Sequence, residues 1–146
     1  MYVSQTPTVS TSPAYTAGDA MGGLLTFTNA ALALNGSGLV VGVTVMCKTP
    51  LLLPSLELLL FDRTFTAATD NAAFGVSDAD MANCLGVIPL SAWADYGANS
   101  IATWRGAQPF KLSGTANLYG QLVTRTAVTL GSTSDIVIGI QCEQDS

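Results

Sequence analysis

The stretch that decides the fold is residues 39–48, LVVGVTVMCK. Side chains that suit a core recur at every second position, and this period is that of a β-strand whose successive side chains point to opposite faces. We expect Gly42, Thr44 and Lys48 to lie on the outer face. The predicted inward row is Leu39, Val41, Val43, Val45 and Cys47.

Similar patterns extend along most of the chain. Residues 135–143, DIVIGIQCE, give a second inward row of Ile136, Ile138, Ile140 and Cys142. Residues 55–62, SLELLLFD, are apolar on both faces toward their end, which predicts a central strand. Further strand candidates are residues 21–29, 86–90, 100–105, 109–112 and 117–126. About eight strands joined by Gly, Ser and Asn loops predict a mainly β, single-domain antiparallel β-sandwich of jelly-roll type.

One short helix interrupts this pattern. Ser77 and Asp80 have the spacing of a capping box, in which a hydroxyl and a carboxylate satisfy free N–H groups of a first helical turn. We therefore predict a helix over residues 78–85. Pro89 in the following strand suits an edge or a bulge, because proline cannot donate to a ladder.

The first 18 residues differ from the rest and are rich in Ser, Thr and Pro. We expect an extended N-terminal arm over residues 1–18 and the β-sandwich domain over residues 19–146. The arm is either a free tail or a segment laid across a neighbouring subunit. In the second case its contact residues are Tyr2, Val3, Val9 and Tyr15.

The charge composition excludes several functions. Charged residues are 10 % of the chain, against about 25 % in typical domains. Five scattered cations and a net charge of −5 do not form a nucleic-acid footprint, so DNA and RNA are excluded as partners. The chain has no histidine, which removes the usual general base and the commonest zinc ligand. We therefore expect no enzyme and assign no catalytic, cofactor-binding or metal residues. A surface with so few charges suits burial against a partner.

The three cysteines and the N-terminal residues indicate the redox compartment in which the chain folds. Cys47, Cys84 and Cys142 have no metal-like spacing, and we expect free structural thiols. The N-terminal residues lack the basic and apolar regions of a secretory signal, which favours folding in a reducing cytosol. No apolar run reaches the ~18 residues of a membrane span, so we expect no membrane partner.

Two clusters invite a functional interpretation. Asp62, Asp70, Asp78 and Asp80 are the densest group of acids, and they either bind Ca²⁺ or act only as a helix cap and solvated loop positions. The aromatic residues Trp93, Tyr96 and Trp104 are either a sugar-stacking surface or residues that close the core or line a subunit interface.

Four stretches resemble small accessory virion proteins of tailed bacteriophages. They are residues 14–27 (AYTAGDAMGGLLTF), 56–88 (LELLLFDRTFTAATDNAAFGVSDADMANCLGVI), 117–125 (NLYGQLVTR) and 133–140 (TSDIVIGI). The resemblance implies a capsid decoration, cement or head-fibre protein with a β-sandwich fold. It also implies a homotrimer bound to the phage major capsid protein at the capsid surface, assembled in the host cytoplasm. It carries no catalytic residues.

Two other functions stay open at this point. One is a glycan-binding module of a head fibre or tail, in which Trp93, Tyr96 and Trp104 stack on sugar rings. The other is a structural component of the tail or baseplate.

Overall fold

A computed structural model describes all 146 residues, and its chain is almost entirely β-structure with one short helix. The elements in chain order are β1 (Tyr2–Gln5), β2 (Ala20–Phe27), β3 (Ser37–Cys47), β4 (Leu56–Phe61), α1 (Asp78–Met81), β5 (Cys84–Leu90), β6 (Trp93–Asp95), β7 (Ser100–Lys111), β8 (Leu118–Thr124) and β9 (Ile136–Gln144). The expected fold class, mainly β with two antiparallel sheets and one short helix, is confirmed.

The strands form two antiparallel sheets. The five-stranded sheet has the order β1-β9-β3-β7-β6, and the four-stranded sheet has the order β2-β8-β4-β5. The pairs are nested in the sequence: β4 pairs with β5, β3 with β7, β2 with β8 and β1 with β9. The inner faces of both sheets contribute to one main core of 27 buried residues. The fold is therefore a two-layer, sandwich-like arrangement.

The predicted inward rows hold along most of their length. All four predicted side chains of β9 are buried in the main core, as are Val43, Val45 and Cys47 of β3. The prediction for Leu39 and Val41 is wrong, because both are only half-buried and Val40 is buried instead. A β-bulge between Val40 and Gly42 puts one extra residue into β3 opposite β9, and one extra residue exchanges the two faces of a strand.

The other predictions hold to different degrees. β4 is internal to its sheet, as its two apolar faces predicted, and β5 with Pro89 is an edge strand. Ser77 caps α1 by accepting a hydrogen bond from the Asp80 N–H, but the helix ends at Met81 rather than at residue 85. The two strands predicted around Gly106 are one continuous strand, β7. The short strand β6 has only three residues and has no counterpart among the predicted strands.

Residues 1–18 pack against the rest of the chain. β1 pairs with β9 of its own chain, and Val9 and Tyr15 are members of the main core. Backbone hydrogen bonds join Tyr15 to Val128 in both directions. A division at residue 18 therefore separates side chains that share one core.

Candidate functional site

The aromatic residues expected at a site divide into two packed rings and one exposed ring. Trp93 and Trp104 are half-buried and pack against the main core from the β6–β7 end of the five-stranded sheet. The Trp93 indole N–H donates to the carbonyl oxygen of Pro54 at 2.5 Å. Tyr96 lies in the β6–β7 hairpin turn and is exposed. The structure therefore places both tryptophans against the core and leaves Tyr96 apart from them.

The four residues expected at an inter-subunit contact also separate. Tyr2 is 61 % exposed and Val3 is half-buried. Val9 and Tyr15 are buried in the core of their own chain. Of the four side chains, only Tyr2 and Val3 have surface exposed to solvent.

Asp70, a member of the acidic cluster, fixes the N-terminal segment. Its carboxylate accepts hydrogen bonds from the Ser10 hydroxyl, the Tyr15 hydroxyl and the Gly22 N–H at 2.5, 2.6 and 2.7 Å. Burial, together with the Asp70 carboxylate, raises the pKa of the Tyr15 phenol well above its usual range. Through this network Asp70 links the N-terminal segment to β2 and has a structural role.

The other three acids of that cluster have separate partners. Asp62 forms an ion pair with Arg63, and Asp80 accepts the N–H of Thr66. Asp78 is exposed in the first turn of α1. No group of three or more His, Cys, Asp or Glu side chains is placed to hold a metal ion.

A loop over residues 62–77 covers the outer face of the four-stranded sheet. Leu59, Phe61 and Val123 point outward from this sheet and pack under Phe65, whose ring stacks on Phe61 with centroids 3.8 Å apart. Gln121, fully buried on the same face, accepts the Ala68 N–H and donates to the carbonyl oxygens of Ala68 and Gly22. The only signal of Gln121 in the sequence is that it is the lone amide within the mainly apolar strand β8.

The outer face of the five-stranded sheet has no such cover. Because Val43 and Val45 point into the core, strand alternation turns Thr44 and Met46 outward. Three cross-strand rows cross this face: Val137, Met46, Ile101 and Ala94; then Ser4, Gly139, Thr44 and Thr103; then Tyr2, Gln141, Gly42 and Arg105. The face is therefore apolar in one row and polar but mostly uncharged in the others.

Two glycines make this face flat. A Cβ atom at Gly139 would collide with the Tyr2 ring, and a Cβ atom at Gly42 would collide with the Arg105 guanidinium. The Tyr2 side chain thus packs flat against the backbone of Gly139, and the Arg105 side chain packs flat against that of Gly42. A larger residue at either glycine would push these side chains away from the sheet. The Arg105 Nη1 donates to Gln141 Oε1 at 3.0 Å.

The cations of the chain are distributed unevenly. Arg63 pairs with Asp62, and Arg125 pairs with Glu57. Lys48, Arg105 and Lys111 make no ion pair. Strand alternation places all three on the outer side of the five-stranded sheet, with Lys48 just beyond the end of β3.

Burial favours the protonated form of all three cysteine thiols. Burial raises the pKa of Cys142 to about 11, and it also raises the pKa values of Cys47 and Cys84. A thiol of raised pKa stays protonated at pH 7 and is a weak nucleophile. No cysteine is in a disulfide.

The surface offers no cleft of ligand size. The one helix has four residues and is too short to cross a bilayer. Comparison with protein-family models gives no match, and comparison with curated protein sequences gives none either.

Proposed function

We propose that the chain is a structural protein of a tailed-bacteriophage virion that binds the capsid shell as a decoration or cement protein. The observation that carries this proposal is the uncovered outer face of the five-stranded sheet. The chain covers the equivalent face of its other sheet with a loop of its own, and it leaves this one open. The resemblance of four sequence stretches to accessory virion proteins suggests that the assembly is a phage capsid.

The open face is somewhat smaller than one side of a standard protein interface. β3 has 11 residues, and at about 3.3 Å per residue it is about 35 Å long. Three long strands about 4.8 Å apart cover roughly 500 Å², and the short strands β1 and β6 extend this area. Each partner in a stable complex contributes about 800 Å². A single contact of this size on each of many copies can hold a shell together through multivalency.

The nested strand pairing supports the same proposal. We infer that it is the jelly roll expected from the sequence, since a long antiparallel ribbon that folds over into two sheets gives this order. Jelly rolls occur in viral capsid domains and in lectins. The glycan-binding alternative needs exposed stacking rings, whereas Trp93 and Trp104 pack against the core. The first interpretation is therefore the better supported.

Particles that lack the protein provide the test. Phage particles from a strain with the gene deleted are mixed with increasing amounts of the purified chain, and bound copies are counted by gel densitometry after sedimentation. We expect saturable binding and release of packaged DNA at a higher temperature. Light scattering on the free chain measures whether it is the trimer that the resemblance implies.

Three results contradict the proposal. The first is an absence of binding to heads together with unchanged heat resistance. The second is electron microscopy that shows the protein only on tails, which favours the tail or baseplate alternative. The third is binding to a glycan array that Tyr96→Ala removes, which favours the glycan-binding alternative.

A further inference from the structure

The partner of the open face can be described from the charges on that face. We propose that Arg105 is the charged anchor of the contact and receives a carboxylate of the shell protein, whose surface also carries an apolar patch about 13 Å away. This inference rests on the proposed function. It adds the chemistry of the partner surface and the residue of this chain that recognises it.

Arg105 is held ready for a carboxylate. A guanidinium has five N–H donors, and two parallel donors on one edge match the two oxygens of a carboxylate. Gln141 occupies Nη1, while Nε and Nη2 have no hydrogen-bond partner in the chain. Arg63 and Arg125, by contrast, already use Nε to bind Asp62 and Glu57. Arg105 is thus a positioned arginine with a free binding edge.

The surroundings of Arg105 favour a protein partner. In its own row the neighbours Gly42, Gln141 and Tyr2 are uncharged. The apolar row of Met46, Ile101 and Val137 lies four residues along β3, which is about 13 Å. A charged arginine near half-buried apolar side chains is typical of interface hot spots.

The other charges on the open face disfavour nucleic acid and a second copy of the chain as its binding partner. Lys48 and Lys111 lie near the two ends of β3, about 17–20 Å from the row of Arg105. Three cations so far apart are too few for the phosphate contacts that hold nucleic acid. Glu143 and Asp145 share the face near Lys111. A copy stacked face to face through its Arg105 row would oppose two like charges, so the acidic surface of a different protein is the better complement.

The experiment compares matched variants on the same particles. Binding of the wild-type chain, Arg105→Gln, Arg105→Lys and Arg125→Gln to protein-depleted heads is measured by sedimentation. Arg105→Gln and Arg125→Gln remove the same charge, but only the first lies on the open face. We expect Arg105→Gln to weaken binding at least about 30-fold, since loss of one partner of a buried charge pair has effects of this size. Arg105→Lys is expected to weaken it less, because lysine keeps the charge without the paired donors.

The outcomes separate the two proposals. If the wild-type chain does not bind heads, both proposals fail. If it binds and Arg105→Gln binds equally well, or no worse than Arg125→Gln, only the assignment of Arg105 fails. Light scattering and binding to a DNA duplex complete the test. If Arg105→Gln leaves head binding intact but abolishes self-association, the face binds a second copy of the chain. If it leaves head binding intact but abolishes DNA binding, the face binds nucleic acid. Either result overturns the inference.

Discussion

Gln121 is the side chain on which the covered face of the molecule depends. It is fully buried, and it satisfies the N–H and carbonyl of Ala68 together with the carbonyl of Gly22. A buried amide without such partners would destabilise the fold, whereas here it fastens a loop to a sheet. The loop then excludes water from Leu59 and Phe61.

Replacing Gln121 with leucine tests this role. Gln121→Leu leaves the backbone groups of Ala68 and Gly22 without partners inside the protein, and we expect a loss of about 3 kcal/mol in the free energy of unfolding. Urea denaturation followed by circular dichroism measures the loss. Gln141→Leu makes the same change at an exposed position and is expected to stay within about 0.5 kcal/mol of the wild type. Equal losses for both variants would show that the amide does not fasten the loop.

The buried thiols predict a fall in stability at alkaline pH. The pKa of Cys142 is raised to about 11, while an exposed thiol in the unfolded chain has a pKa of about 8.5. Between these values the unfolded chain binds fewer protons than the folded one, so stability decreases as pH rises. Below pH 8 the Cys142 thiol is protonated in both the folded and the unfolded chain, so it adds no pH dependence to the stability there.

The measurement is urea unfolding at pH 8, 9 and 10 under reducing conditions. One thiol contributes a slope of up to about 1.4 kcal/mol per pH unit. Cys142→Ala lowers stability at every pH but is expected to show a smaller slope. An unchanged slope in Cys142→Ala would assign the pH dependence to Cys47, Cys84 or Tyr15, whose pKa values are also raised.

At the scale of elements, sequence prediction succeeds where a pattern is local. β9 is recognised from its alternation, β4 from a short run that is apolar on both faces, and the α1 cap from Ser77 and Asp80. The error at Leu39 and Val41 comes from a bulge whose position depends on the neighbouring strands. β1 is only four residues of mixed polarity, so nothing within it reveals its pairing with β9.

The same reasoning applies to the candidate site. The arginine at position 105 is visible in the sequence, but its significance depends on Gly42 and Gln141, which lie on two other strands. The tryptophans are equally visible, and their burial follows from the packing of β6 against β7. Side-chain chemistry is therefore predictable from the sequence here, while the grouping of side chains into a surface is not.

Two truncations test how the N-terminal segment contributes. Deletion of residues 1–5 removes the edge strand β1 and is expected to leave a folded domain that melts a few degrees lower. Deletion of residues 1–18 also removes Val9 and Tyr15 from the core. Loss of one large buried side chain costs 2–5 kcal/mol, so we expect this second variant to be largely unfolded. Thermal melts followed by circular dichroism distinguish the two, and a stable second variant would contradict the shared core.

At the scale of the whole molecule, the nested pairing makes the contacts unusually distant in sequence. Only residues 62–83, which include α1, separate β4 from β5, whereas Tyr2 of β1 pairs with Gln141 of β9. Closing a long loop has an entropic cost that must be met before its contacts form, so such topologies fold slowly. The pair that closes the longest loop, β1 with β9, adds few contacts because β1 is an edge strand of four residues.

Hydrogen exchange should therefore follow the nesting. We expect the amides of β1 to exchange through local opening, at least about 100-fold faster than those of the central strand β3, which exchange only on global unfolding. Mass spectrometry of peptides covering residues 1–5 and 39–46 measures both rates in one sample. The β2 edge strand is the internal control, because it also has one neighbouring strand and five of its eight residues pair in register with β8. Fast exchange in β1 but not in β2 means that the terminal strand opens while the sandwich stays intact. Equal protection of β1 and β3 would mean that the two ends of the chain lock the whole molecule and open only with it.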